Sequence, residues 1–206
     1  AVMDADEIRA VAEFCVDNDI DVIADEIYAA LTYDGDHTSI ASMPGMRERT
    51  IVINGFSKAY AMTGLRLGYA LGPAEAIASM NRVHQYTMLS APTTAQFAAI
   101  EALRSCEDAV TEMATEYNRR RRFVLSRFEE MGLDCFRSRG AFYAFPECGG
   151  DDQAFAEDLL EAEGVAVVPG SVFGEGGEGH LRVSYATGMR ELKTAMNRLE
   201  TFYRNR

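Results

Sequence analysis

The chain has 206 residues, 48% hydrophobic and 25% charged, enough for one large or two small globular domains and too apolar for a disordered chain. Thirty-two acidic side chains against 20 basic ones give a net charge of −12, which argues against nucleic acid or an anionic membrane as the main partner. No apolar run is long enough to span a bilayer, and the opening residues lack the basic and apolar regions of a signal peptide.

Asp4, with Glu7 three residues on, has the spacing of a capping box, and Ile8, Val11 and Cys15 then recur at helical period. Residues 21–25 (Asp-Val-Ile-Ala-Asp) read as a short buried strand ending in a carboxylate, and residues 50–54 and 67–71 as two more strands. Gly72-Pro73 opens a helix that runs towards Met88. After Pro92, residues 93–103 and 108–131 read as long helices. The second carries four consecutive arginines, Arg119 to Arg122, whose expected setting is a solvated face paired with Glu112, Glu116 and Glu129. Short strands follow around 134–137 and 141–145, then a helix over 151–163, strands at 165–168 and 180–185, and a last helix. That helix places Leu192, Met196, Leu199 and Tyr203 on one face.

This order divides the chain into 1–92, a helix-covered and mostly parallel α/β sheet; 93–131, connecting long helices; and 132–206, a small α+β domain. Three strands are few for a doubly wound sheet, so the first part is expected to be the C-terminal portion of a longer domain.

Four cysteines (Cys15, Cys106, Cys135, Cys148) are scattered, with neither zinc spacing nor a dense disulfide framework, and a reducing cytoplasm is the expected location. His37, His84 and His180 are isolated, and no metal site is expected. There are two lysines, Lys58 and Lys193, against 18 arginines. So acidic and lysine-poor a surface suits a host with a salty cytoplasm, and it singles out each lysine.

Lys58 lies in the most informative stretch, residues 54–69. The chain leaves a buried strand, passes a turn of small residues, and presents the lysine where strand C-termini build sites in α/β sheets. A desolvated lysine there is a usable neutral amine. Ser57 adds a hydroxyl and Arg66 a guanidinium, both suited to a phosphate. Asp25 ends its own strand, and Tyr28 follows three residues later. An amine, a carboxylate, a phenol and a phosphate-binding pair are what a pyridoxal 5′-phosphate site needs: the amine bonds the cofactor, and the carboxylate keeps its ring nitrogen protonated.

Residues 24–28 (Ala-Asp-Glu-Ile-Tyr), residues 54–69, and residues 180–186 (His-Leu-Arg-Val-Ser-Tyr-Ala) together resemble the class I/II aminotransferases of PLP fold type I, closest to the aspartate/aromatic branch. The resemblance covers essentially the whole chain. It implies Lys58 as the covalent anchor of the cofactor, Asp25 as partner of the pyridine nitrogen, Tyr28 as donor to the phenolic oxygen, and Ser57 and Arg66 as phosphate ligands. It implies Arg182 as a bidentate partner of the substrate α-carboxylate, and it also places Phe142 near the substrate. Amino-acid and 2-oxo-acid substrates (aspartate, alanine or an aromatic amino acid as donor) and a homodimer are implied as well.

Two departures stand out. Many members carry a serine three residues before the lysine, where this chain has Gly55. The resemblance also implies that the chain begins just after the family's Asn-Pro-Thr-Gly motif, as a fragment lacking the N-terminal part would. A β-lyase with the same cofactor and an aminotransferase-like regulatory domain remain alternatives. Residues 174–179 (Gly-Glu-Gly-Gly-Glu-Gly) read as a flexible loop near the substrate entrance, since their glutamates would repel a phosphate.

Overall fold

The first helix, α1 (Ala5–Asp17), begins where the spacing predicts. The Asp4 carboxylate accepts from the backbone N–H of Asp6 and Glu7, and the Glu7 carboxylate accepts from the Asp4 N–H at 2.7 Å. Its buried face is Ala12 and Cys15, with Ile8 beside them, packed on Val22 and Ala24 of β1 (Val22–Asp25) and on Ile40, Met43 and Met46 of the loop beyond, whereas Val11 is exposed.

The computed structural model describes residues 2–206, and the chain separates into two units, one up to Ala114 and one from Thr115. In the first unit β1 pairs in parallel with β2 (Thr50–Gly55), and β3 (Gly68–Leu71) runs antiparallel on the other side of β2. Side chains alternate across a strand, so with Val22 and Ala24 turned to α1, Ile23 and Asp25 share the opposite face. That face is open: Ile23 is 75% exposed.

The chain then forms the short helix α2 (Phe56–Ala59), α3 (Ala74–Thr87), α4 (Thr93–Ser105) and α5 (Glu107–Met131). Phe56 fixes α2 by packing on Ala99 and Ala102 of α4, with Tyr60, Met62 and Leu67 around them. α3 has no buried residue, and its Tyr86 is 92% exposed. The division between units falls inside α5. No helix among the described residues is long and apolar enough to cross a membrane.

In the second unit, β4 (Tyr143–Ala144), β6 (Leu181–Ser184) and β5 (Val168–Pro169) form an antiparallel sheet with β6 in the centre. The strands expected at 134–137 and 165–168 are largely absent. The first is a single bridge from Cys135 to Pro146, and the second is only the pair Val168–Pro169. Pro169 has no N–H to donate, which confines β5 to the sheet edge. Helix α6 (Asp152–Glu163) is capped by Asp151 and ended by Gly164 in the left-handed region; α7 (Met189–Asn205) buries Leu192, Met196 and Leu199. Phe155 and Phe202 meet edge-on at 5.2 Å between these two helices.

The four-arginine run is not one solvated face. Arg119 and Arg120 pair with Glu116 at 2.7 and 2.8 Å, but Arg121 is 1% exposed. It donates to the Ser138 carbonyl at 2.6 Å and to Asn118 Oδ1 at 2.9 and 3.1 Å. Residues 174–179 form a closed turn. Gly177 N–H donates to the Gly174 carbonyl, the buried Gly177 lies backbone to backbone on Gly170, and Gly170 N–H donates to the His180 carbonyl at 2.8 Å.

Candidate functional site

Two parallel strands end on the same edge, so the residues that follow β1 and β2 become neighbours whatever their separation in sequence. Asp25 closes β1 opposite Ile53 of β2. Its Oδ1 accepts from the Ile27 N–H at 3.2 Å, an Asx turn that bends the chain back towards β2. Tyr28, on that bend, comes to β2's end: Lys58 Nζ lies 5.9 Å from the centre of its ring. Asp25, Tyr28 and Lys58 are thereby brought to one edge of the sheet.

Lys58 is held there by the turn that carries it. Met62 and Tyr60 both donate backbone N–H groups to the Phe56 carbonyl, and Phe56 donates to the Leu67 carbonyl at 3.2 Å, closing residues 56–67 into a loop between β2 and β3. Ser57 and Lys58 are half-buried at its start. Arg66 ends it in the left-handed region (φ 54°), with Nη1 bonded back to the Thr63 carbonyl at 2.9 Å and the rest of the side chain exposed. Ala61 is also left-handed, at φ 53°.

Gly55 has a steric reason. It pairs with Gly68 across β2 and β3, and a Cβ built on it would come within 2.9 Å of Gly68 Cα and of the Leu67 carbonyl oxygen. The serine of the family pattern would press on that backbone.

Arg182 belongs to the second unit. It lies on β6, the central strand, half-buried, with its guanidinium carbon 4.7 Å from the centres of both the Tyr143 and Phe173 rings. Among the described residues the guanidinium meets no acceptor; its neighbours are these two rings. Phe142 is a buried ring packed between Tyr117 and Tyr143, at 5.4 and 4.8 Å.

Sequence reasoning missed three contributors. Glu26 accepts from Ser39 Oγ at 2.6 Å and pairs with His37 Nε2 at 3.1 Å, fastening the following loop beside the Asp25–Tyr28 bend. His37 is thus not isolated, but its partner lies 11 residues away, beyond any helical or strand spacing. Tyr143 and Phe173 carry no motif of their own; the one weak signal is an aromatic residue just before a glycine-rich turn.

The donor set at the sheet edge fits pyridoxal phosphate: a lysine amine, a carboxylate, a phenol, a hydroxyl and a guanidinium, beside an open sheet face. Both units share their architecture with aminotransferases of PLP fold type I, of which they form the C-terminal part. The chain matches aminotransferase class I and II over residues 1–199, and it belongs to that family. The aspartate aminotransferase of Pyrococcus abyssi is 44% identical over the whole chain, and aromatic-amino-acid aminotransferase 2 of Thermococcus litoralis is 44% identical over 97% of it. The crystal structure of an aromatic aminotransferase from Pyrococcus horikoshii superimposes with a TM-score of 0.96 at 44% identity, covering 100% of this chain and 57% of that one. The chain spans about half the length of these relatives: 54% of the first and 53% of the second.

Proposed function

We propose that the chain carries the anchoring half of a pyridoxal-phosphate-dependent aminotransferase, which moves an amino group between an amino acid and a 2-oxo acid. The observation that supports this most is the meeting of Asp25, Tyr28 and Lys58 at the C-terminal edge of two parallel strands. In this reading Lys58 Nζ bonds the cofactor, Asp25 holds a proton on its ring nitrogen, and Tyr28 donates to its phenolic oxygen. Ser57 and Arg66 bind its phosphate. When bound, the cofactor supplies an electron-poor ring that draws the electron pair from the substrate Cα.

Each side chain then has a defined task. Arg182 binds the substrate α-carboxylate through two parallel N–H groups. Lys58 would be the group that takes and holds the proton of the substrate Cα. The ring of Tyr28, its centre 5.9 Å from Nζ, helps to keep the amine oriented. Aspartate, alanine or an aromatic amino acid is the proposed donor, and 2-oxoglutarate the acceptor. The names of the relatives support the aspartate and aromatic choices. A homodimer in the cytoplasm completes the proposal; the exposed Val83 and Tyr86 of α3 are apolar surface of the kind a subunit interface buries.

The test uses the two lysines as its internal control. The chain is incubated with pyridoxal phosphate in high salt, reduced with borohydride and digested. The expected result is a visible absorbance band before reduction and a pyridoxyl group on the Lys58 peptide alone. Labelling of Lys193 instead, or equal labelling in Lys58→Ala, refutes Lys58 as the anchor.

A further inference from the structure

The surroundings of Arg182 carry more than a carboxylate site. Its guanidinium lies in a run of rings through the second unit: His180 stacks on Phe145 at 5.1 Å, Phe145 meets Phe173 edge-on at 6.4 Å, Phe173 and Tyr143 flank Arg182, and Phe142 and Tyr117 continue beyond Tyr143. The two flanking rings are not equivalent.

Tyr143 is fixed by the fold. It sits on β4 opposite Ser184, and the segment before it is fastened by Tyr185, which donates its N–H to the Phe142 carbonyl at 3.0 Å and its hydroxyl to the Ala141 carbonyl at 3.1 Å. Phe173, by contrast, ends the single turn Gly170–Phe173 and is 53% exposed. That turn is tied from behind: the buried Asp152 accepts from the Ser171 N–H at 2.6 Å, and Gln153 Nε2 donates to Ser171 Oγ at 3.3 Å. An exposed phenylalanine adds little to the core, yet its turn is anchored by a buried carboxylate and its ring covers one face of an arginine.

We propose that Phe173 is a positioning residue that sets the affinity of Arg182 for a carboxylate, by confining the guanidinium beside Tyr143. This rests on the reading of Arg182 as the carboxylate ligand. Two rings within 4.7 Å restrict how the guanidinium can turn, and a carboxylate meets its in-plane N–H groups in the two-pronged geometry that a flat guanidinium favours. Without Phe173 the side chain regains rotamer freedom that carboxylate binding must then remove. The ligand class is a small carboxylate whose flat group can enter edge-on, as the α-carboxylate of an amino or 2-oxo acid does.

The test follows the Arg182 Nε–Hε resonance of the ¹⁵N-labelled chain, assigned by its loss in Arg182→Lys, while pyruvate is titrated as the probe. In the parent chain the signal is displaced upfield by the two rings and moves with pyruvate. In Phe173→Leu it returns towards the ordinary arginine position, and the pyruvate dissociation constant rises about threefold, the scale of one partly exposed cation–π contact. Phe173→Tyr restores both readouts. Because residue 173 is exposed, the leucine variant keeps its fold, and an unchanged backbone amide spectrum verifies this. If Arg182→Lys binds pyruvate as well as the parent, or the parent signal ignores pyruvate, the carboxylate reading itself is overturned. If Arg182→Lys loses pyruvate while Phe173→Leu keeps the parent's affinity and chemical shift, the role of Phe173 alone is overturned.

Discussion

Replacing Arg121 by methionine, beside the same change at Arg119, separates two arginines that the sequence presents as equals. Arg121 is 1% exposed, and its donors include one to the Ser138 carbonyl and two to Asn118 Oδ1. Methionine nearly matches the length of the stem but donates nothing, so the Ser138 carbonyl, which joins the chain leading to Ala141, is left without that donor. A hydrogen bond from a charged donor contributes about 1.5–3 kcal/mol, and the two bonds to one oxygen count as little more than one, so the loss is about 3 kcal/mol. Arg119 lies on the exposed face and pairs with Glu116, where solvent screening leaves the pair little to contribute. Both changes remove one positive charge, so net charge cancels from the comparison. For a chain of this size about 3 kcal/mol corresponds to a fall in Tm of roughly 6–12 °C. The assay is thermal and urea unfolding followed by far-UV circular dichroism, because the chain has no tryptophan. Equal losses in the two variants, or a loss below about 1 kcal/mol for Arg121→Met, refute the reasoning.

Acid titration tests a second feature of that helix. Arg119 and Arg120 both donate to Glu116 and hold its carboxyl at about 2, from an ordinary 4.5. The unfolded chain takes up this proton first, so the stabilisation is complete above pH 4.5 and declines as pH falls towards 2. Glu116→Gln is expected to flatten that part of the stability curve, and superimposable curves would contradict the pairing. Ala61 holds a left-handed backbone at φ 53°, which glycine adopts freely. Ala61→Gly therefore gains about 0.5 kcal/mol after allowance for the looser unfolded chain, seen as a raised urea midpoint.

The helices were legible from local pattern. Asp4 and Glu7 mark the start of α1, Asp151 marks α6, and the stripe Leu192, Met196 and Leu199 marks α7, because capping and periodicity act within a few residues. The strands of the second unit were less legible. The pairs Tyr143–Ala144 and Val168–Pro169 exist only through their partner β6, and two residues carry no period.

By itself the sequence determined the family and the proposed residues Asp25, Tyr28, Ser57, Lys58, Arg66 and Arg182, since short ordered motifs survive as strings. It also marked Gly55 as a departure. Tertiary structure alone decided why: Gly68 and Leu67 close on Gly55 from β3, a contact between backbones that no side-chain pattern records. It also decided that Arg121, alone of its three neighbours in the run, is buried, and that Phe173 and Tyr143 flank Arg182. Each of these depends on groups brought together across loops and strand edges. The free energy of such a contact is set by geometry that arises only after the chain has closed.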